Sequence, residues 1–338
     1  MHVTIRADGS AEIGYGHLFR SSAIAEELLE LGHRVNFATT TPDNAAHVTP
    51  STVGITELAS RSDVEPFVSQ IRDTTNVVLI DSYTADEYYQ RRVRNESPLV
   101  VVSDDTRYPV CADVLVNGNL YAPSLEYEIL GTEPVWCLGP DYLLLRDSIS
   151  EQAEEEPPWR ERPMRAIVTM GGSDPTEITP RAVRAFDGLD LRVDAIIGPG
   201  FTEEQERDIR HVAEEVSADV RPVRDPEDLP QRMFQADFAV STASTTTYEL
   251  LALGTPIISL PIVDNQEPIA AELRERDAGI VLERAATEAQ FRRAIETYVQ
   301  STADRRAKRE YGQELIDAEG ANRISEKILS LAGGGSTT

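Results

Sequence analysis

Lysine is almost missing from this chain of 338 residues: Lys308 and Lys327 are the only two, so nearly all of its 32 cationic side chains are arginine. Cysteine is equally scarce. Cys111 and Cys137 lie far apart and form no C-x-x-C or Cys/His cluster of metal spacing, which excludes a disulfide framework and a zinc site and fits two thiols in a reducing cytosol. No apolar run approaches the roughly 18 residues of a membrane span. No charged and apolar leader precedes the strand-like "HVTIR", so a soluble, cytoplasmic protein without stable membrane insertion is expected. A basic stripe is lacking too, which argues against nucleic acid as a partner. What is abundant is acid: the formal net charge is -26. Such a surface repels itself in dilute buffer and is screened at molar salt, where the Debye length is about 3 Å, so the acidity reads as a halophilic adaptation.

The length suits two domains, each with its own core. Short β-rich runs alternate with amphipathic stretches: "HVTIR", a helix from about His17 to Leu31 with Gly32 as its C-cap, "RVNFAT", "GITELA", a helix around Val64 to Ile71, "NVVLID", a helix from about Ala85, "PLVVVSDD" and "DVLVNGN". Near-continuous Val, Ile and Leu runs imply strands covered on both faces, as in a parallel sheet. Between about Asp147 and Pro163 the acidic block and Pro-Pro pair of "DSISEQAEEEPPWRERP" read as a linker. The alternation restarts with "RAIVTMGG" and a helix from about Thr176, continues through "LRVDAIIG", "VRPV", "ADFAVST" and "PIISLPI", and closes on helices at about 287–300, 302–317 and 320–332. The expected architecture is α/β, with two Rossmann-like, doubly wound domains facing a cleft: residues 1–150, then 163–332, with 333–338 as a disordered tail.

The stretch "RADGSAEIGYGHLFRSSAIAEEL" (6–28) carries a glycine-rich turn into a helix. Gly9 and Gly14 have the spacing of a P-loop, yet Tyr15 and Gly16 stand where Lys and Ser or Thr belong. Gly14-Tyr15-Gly16 lacks the third glycine of a dinucleotide fingerprint, so neither a γ-phosphate contact nor NAD is indicated. His17 remains, beside a helix N-terminus whose positive end disfavours the imidazolium. A neutral imidazole there suits a general base; the plainer alternative is that His17 only packs or caps.

In the second half, "VTMGGSDPTEITP" places Gly171, Gly172 and Ser173 after a strand, with Asp174 as cap and Pro175 opening a helix. "VSTASTTTYELLALGTPIISLPIVDNQ" runs from a buried strand through hydroxylic residues, including Thr245, Thr246 and Thr247, into a helix. Hydroxyls and free N–H groups at a helix start suit a diphosphate without lysine, and Glu249 one turn in could accept from a ribose diol. Read plainly, the same residues make a capped turn and a solvated carboxylate. Asn265 and Gln266 stand beyond the next strand, where amides can meet sugar hydroxyls.

Together with "LIDSY", "DD", "CADVLVN", "LGPDYLLLR", "VTMGGSDP", "ADFAVSTASTTTYELLALGTP" and "DNQ", the opening stretch resembles the ordered motifs of the UDP-2,4-diacetamido-2,4,6-trideoxy-β-L-altropyranose hydrolases of pseudaminic acid biosynthesis, over most of residues 3–330. Near relatives of that family are GT-B glycosyltransferases, such as the UDP-GlcNAc transferase that makes lipid II. The resemblance implies UDP held mainly by the C-terminal domain, a UDP-sugar as substrate, no cofactor or metal, and water in place of a sugar acceptor. It makes His17 the base or water-orienting group, sends Tyr83 into the cleft, puts Asn265 on the sugar or phosphates, and gives Glu249 the ribose. Gly14, Gly16, Arg146, Gly171 to Ser173, Thr245 to Thr247 and Gln266 complete the implied substrate contacts. At one place the chain departs from the family: Ala243-Ser244 replaces the usual Gly-Gly before the threonines, which restricts positive φ where phosphate should approach. Alternatives are a GT-B glycosyltransferase using a UDP-sugar and a non-catalytic nucleotide-sugar binding module; no oligomeric state is implied. The charge itself leads to a test: the melting temperature should rise from dilute buffer to molar KCl, and a melting temperature indifferent to salt contradicts the halophilic reading.

Overall fold

A computed structural model describes residues 1–10 and 13–333. The chain forms two compact units, residues 1–147 with the segment from Ala318 onward, and Ser148–Asp317. The first contains β1 (His2–Ala7), α1 (Gly16–Glu30), β2 (Arg34–Thr39), α2 (Pro42–Val48), β3 (Gly54–Glu57), α3 (Glu65–Ile71), β4 (Val77–Asp81), α4 (Glu87–Arg94), β5 (Leu99–Val102), β6 (Val114–Asn117) and β7 (Val135–Leu138). Among the described residues these strands make one parallel sheet in the order β3-β2-β1-β4-β5-β6-β7. Every residue of β4 and of β5 is buried, as expected for apolar strands covered on both faces. Gly32 follows the α1 C-cap Leu31 at φ +79°, with its N–H donating to the Leu29 carbonyl, so glycine's freedom ends that helix.

Next come α5 (Asp147–Ala153), β8 (Arg165–Thr169), α6 (Thr179–Arg184), β9 (Arg192–Ile197), α7 (Glu203–Glu215), β10 (Asp219–Arg224), α8 (Leu229–Gln235), β11 (Phe238–Thr242), α9 (Thr245–Ala252), β12 (Ile257–Leu260), α10 (Glu267–Glu275), β13 (Ile280–Val281), α11 (Glu288–Gln300), α12 (Thr302–Leu315) and α13 (Gly320–Gly333). The second sheet, again parallel, runs β10-β9-β8-β11-β12-β13.

Three sequence expectations change here. Residues 147–163, read as a linker, contain α5 and a segment clamped by α12: Arg309 donates to the carbonyls of Pro157 and Pro158, and Arg305 to those of Arg160 and Glu161. The guanidiniums of Arg305, Arg306 and Arg309 lie 5.0–5.4 Å from the Trp159 ring centre, within cation–π range. α6 starts at Thr179 rather than near Pro175, and its N-cap is Ile178 rather than Asp174; Asp174 Oδ2 accepts from the Thr179 N–H at 2.8 Å across the intervening turn. Finally, α13 belongs to the first unit, not the second. Ile324 and Ile328 are fully buried in the core with Ile24, Leu28 and Leu144, and Gly320 packs so tightly on the Leu143 backbone that a Cβ has no room. That helix extends through Gly333; the rest of the expected tail, 334–338, lies outside the described residues.

No helix among the described residues is long and apolar enough to cross a membrane. Because Ile328 fills the first unit's core, Ile328→Ala should cost about 2–5 kcal/mol. Urea unfolding followed by the tryptophans checks it, and a loss under 1 kcal/mol would place α13 outside that core.

Candidate active site

Strand order reverses between β1 and β4 in the first sheet and between β8 and β11 in the second. Ligands of open parallel sheets bind beyond the carboxyl ends of strands at such points. His17, Asp81 and Asp104 in the first unit, and Gly171 to Ser173 and Thr245 to Thr247 in the second, stand at or beyond the carboxyl ends of β1, β4, β5, β8 and β11.

In the first unit, Arg6, next to last in β1, is fully buried, with NH1 2.8 Å from Asp8 Oδ2. Burial alone would raise the Asp8 pKa, but Arg6 and the N–H and hydroxyl of Thr40 outweigh it and hold the carboxyl below its ordinary value. The following loop is pinned by the Gly9 N–H to Thr41 Oγ1 and by Asn44 to the Gly9 carbonyl. Gly14 turns at φ +88° and donates its N–H to the Ser10 carbonyl. Gly16 then opens α1, whose N-cap Tyr15 supplies no side-chain bond, and His17 is its second residue.

The His17 ring is buried, with Nδ1 2.6 Å from Oδ1 of Asp81, the last residue of β4. A carboxylate accepts, so Nδ1 carries the proton and Nε2 keeps the lone pair. Among the described residues no hydrogen-bond partner meets Nε2. Asp81 is fully buried and also accepts two bonds from Arg20, Nε to Oδ2 at 2.6 Å and NH2 to Oδ1 at 2.5 Å. Burial pushes this carboxyl up; Arg20 first, then His17, overcome it and hold Asp81 well below the usual carboxylate range. Arg20 NH1 extends to Asp104 Oδ1 at 2.6 Å. Asp104 in turn accepts from the Tyr83 hydroxyl at 2.8 Å and from Asn119 Nδ2 at 3.2 Å. The Tyr83 ring stands edge-on to His17, centroids 4.5 Å apart, under the Arg107 guanidinium. Burial, followed by the Asp104 charge, raises the Tyr83 hydroxyl well above its ordinary value, so it stays a donor. Arg146 lies over the ring of Phe19, on the helix that carries His17.

In the second unit, Gly171 turns at φ +78° beside α9, where a Cβ would stand 3.5 Å from Thr246 Oγ1. Gly172 and Ser173 are exposed. A third loop supports this pair: the Gly200 N–H donates to the Gly172 carbonyl, and a Cβ at Gly198 would sit 2.4 Å from the Gly171 oxygen. Thr245 is exposed and Thr246 half-buried at the start of α9, whereas Thr247 turns inward and donates to the Thr242 carbonyl at 2.6 Å. Ser244, the N-cap, has φ −139°, and Ala243 is not at positive φ, so this turn does without the glycine freedom whose loss the sequence raised. Glu249 is buried rather than solvated. Gln266 Oε1 accepts from the Ile262 N–H, holding its own turn, while Asn265 beside it is exposed.

Sequence reading missed Arg20, Asp81, Asp104 and Asn119 as members of the site. Two signals existed: Arg20 is three residues after His17 on one helix face, and Asp81 and Asp104 stand at or just beyond carboxyl ends of strands. Among the described residues no group of acidic, histidine and cysteine side chains is arranged to hold a metal ion.

No protein-family model matches the chain. Three curated proteins do. The UDP-2,4-diacetamido-2,4,6-trideoxy-β-L-altropyranose hydrolase of Campylobacter jejuni is 25% identical over 280 residues, 82% of this chain and 97% of that protein. The spore coat polysaccharide biosynthesis protein SpsG of Bacillus subtilis is 23% identical over 83% of this chain and 84% of its own. The uncharacterized protein MJ1062 of Methanocaldococcus jannaschii is 22% identical over 77% of this chain, which spans only 55% of MJ1062. Among solved structures, MurG of Acinetobacter baumannii superposes with a TM-score of 0.70 at 14% identity, covering 97% of this chain and 99% of MurG. The calicheamicin glycosyltransferase CalG4 superposes at 0.66 and 15% identity, over 99% of each chain. The chain is a homologue of the hydrolase and of SpsG, with the fold of GT-B glycosyltransferases.

Because folding depresses the Asp81 pKa, its contribution to stability is complete above the unfolded carboxyl value of about 3.9 and is lost as pH falls below it. Asp81→Asn should therefore cost about 3–5 kcal/mol at pH 7, with the gap to wild type narrowing below about pH 4. Urea unfolding of both proteins between pH 7 and 3 checks it; a gap independent of pH contradicts the buried ion pair.

Proposed function

We propose that the chain is a hydrolase releasing UDP from a UDP-linked 2,4-diacetamido-2,4,6-trideoxyhexose, by attack of water on the anomeric carbon, in nonulosonic acid biosynthesis of the pseudaminic type. The observation that carries the reading is the buried Asp81 carboxylate holding His17 Nδ1, which leaves Nε2 as a proton acceptor. Homology to the C. jejuni hydrolase along nearly all of that protein's length supports the substrate class. In the step, the water oxygen bonds to the anomeric carbon while its proton passes to Nε2. The bond from carbon to the diphosphate oxygen breaks, and its electron pair leaves with UDP. An acceptor imidazole of this kind is worth about 10²–10⁴-fold in rate.

The second unit supplies the leaving-group site. Gly171 and Gly172 let a diphosphate approach the backbone, and the first N–H groups of α9 with the Thr245 and Thr246 hydroxyls receive its charge. Glu249 serves the ribose and Asn265 the sugar or phosphates. Thr247 and Gln266, engaged with their own backbone, shape the loops instead. In the first unit Tyr83 and Arg146 complete the sugar side. The reaction as written uses no cofactor. Sugar transfer to a glycan or lipid hydroxyl is the second reading, favoured by glycosyltransferases as structural neighbours and by the name of SpsG.

Turnover in ¹⁸O-labelled water decides. UDP released with water as sole acceptor should carry no label by mass spectrometry, because the carbon–oxygen bond breaks. His17→Ala should slow release by about 10²–10⁴-fold with UDP affinity unchanged. Labelled UDP means attack on phosphorus, and release that needs an added acceptor establishes a transferase.

A further inference from the structure

The pair His17–Asp81 is enough to hold a ring and fix its tautomer, yet the structure continues it into a row of alternating charge. Asp81 touches the imidazole, Arg20 grips Asp81 with two bonds, and Asp104 takes the remaining arm of Arg20. The row then closes on itself, since Asp104 accepts from Tyr83, whose ring edges His17. A carboxylate at contact distance favours the imidazolium, a form that accepts no proton from water. A guanidinium on the far side of that carboxylate opposes it, and a second carboxylate beyond weakens the guanidinium. Arg20 NH2 also stands 3.0 Å from His17 Nδ1, so its charge acts on the ring directly.

We propose that Arg20 and Asp104 are positioning residues that set the charge felt by the His17 imidazole, Arg20 disfavouring the imidazolium and Asp104 limiting that effect. This rests on the reading of His17 as the base. The groups facing the ring are Arg20 from α1, Asp81 from β4, Tyr83 from the loop after β4 and, through Arg20, Asp104 from the loop after β5; Arg107 lies over Tyr83. Asp8, beyond β1, is engaged by Arg6 and Arg61.

The test is the titration midpoint of the His17 imidazole by ¹H–¹⁵N NMR in the full chain. The chain has five histidines, and His17 is assigned by the resonance lost in His17→Gln. Arg20→Met should move the midpoint up by about 1 pH unit, and Asp104→Asn should move it down by a few tenths. Arg20→Lys, which keeps the charge, should stay within a few tenths of wild type. The acid limb of kcat/KM for UDP release should follow each midpoint. If Arg20→Met fails to fold, Asp104→Asn and Arg20→Lys carry the test: a downward shift in the first and none in the second supports the proposal. Midpoints unmoved in Asp104→Asn, or moved the same way in Arg20→Met and Asp104→Asn, overturn it. Midpoints that split as expected while the kcat/KM limb stays put uphold the charge row and remove His17 as the base, so the two readings fail separately.

Discussion

The buried carboxylate of Asp81 is the point on which the first unit's chemistry depends. An ionised group without solvent is costly unless charge and hydrogen bonds compensate it, and here three partners do so: the His17 ring, the Arg20 fork and the Ser21 hydroxyl. All three project from one face of α1, so satisfying Asp81 also fixes how that helix lies on β4. The orientation of the His17 imidazole is thereby a by-product of solving a desolvation problem. Arg20 is shared with Asp104, and the loop after β5 is drawn into the same arrangement.

The second unit solves a different problem with similar architecture. At the carboxyl ends of β8 and β11 it carries the exposed Gly172, Ser173 and Thr245. Close packing of Gly198 and Gly200 under the Gly171–Gly172 turn keeps that backbone bare. The turn before α9 is extended at Ser244 and needs no left-handed residue at Ala243 or Ser244.

Periodicity revealed the long elements and some short ones, such as the seven-residue α3 and the four-residue β5 and β6, and passed over others. The helices at 288–300 and 302–315 were readable from spacing and caps, as was α1 from its glycine turn and Gly32. α2, β7, α10 and β13 were not: α2 has seven residues opening on a proline, β7 is a half-exposed edge strand, β13 has two residues, and α10 is nine residues directly after the Asp264–Gln266 turn. The acidic, proline-rich stretch after Asp147 looked like a linker since composition does not show the arginines of α12 that bind its carbonyls. The last helix was misplaced for a related reason: its place is decided by packing against α1, which no local pattern records.

From sequence alone came the doubly wound α/β class, the glycine turns, and a histidine in the first turn of a helix, all of them properties of local pattern. Which side chains that histidine meets could not be read locally, since Asp81 lies 64 residues away and Asp104 is joined to it through Arg20, 84 residues from Asp104, and through Tyr83. Strand order in the sheet decides that, by placing β4 beside β1 with Ala7 opposite Asp81 and so bringing the ends of distant strands under one helix. Parallel pairing is specified by burial summed over a whole core, and no short motif records it.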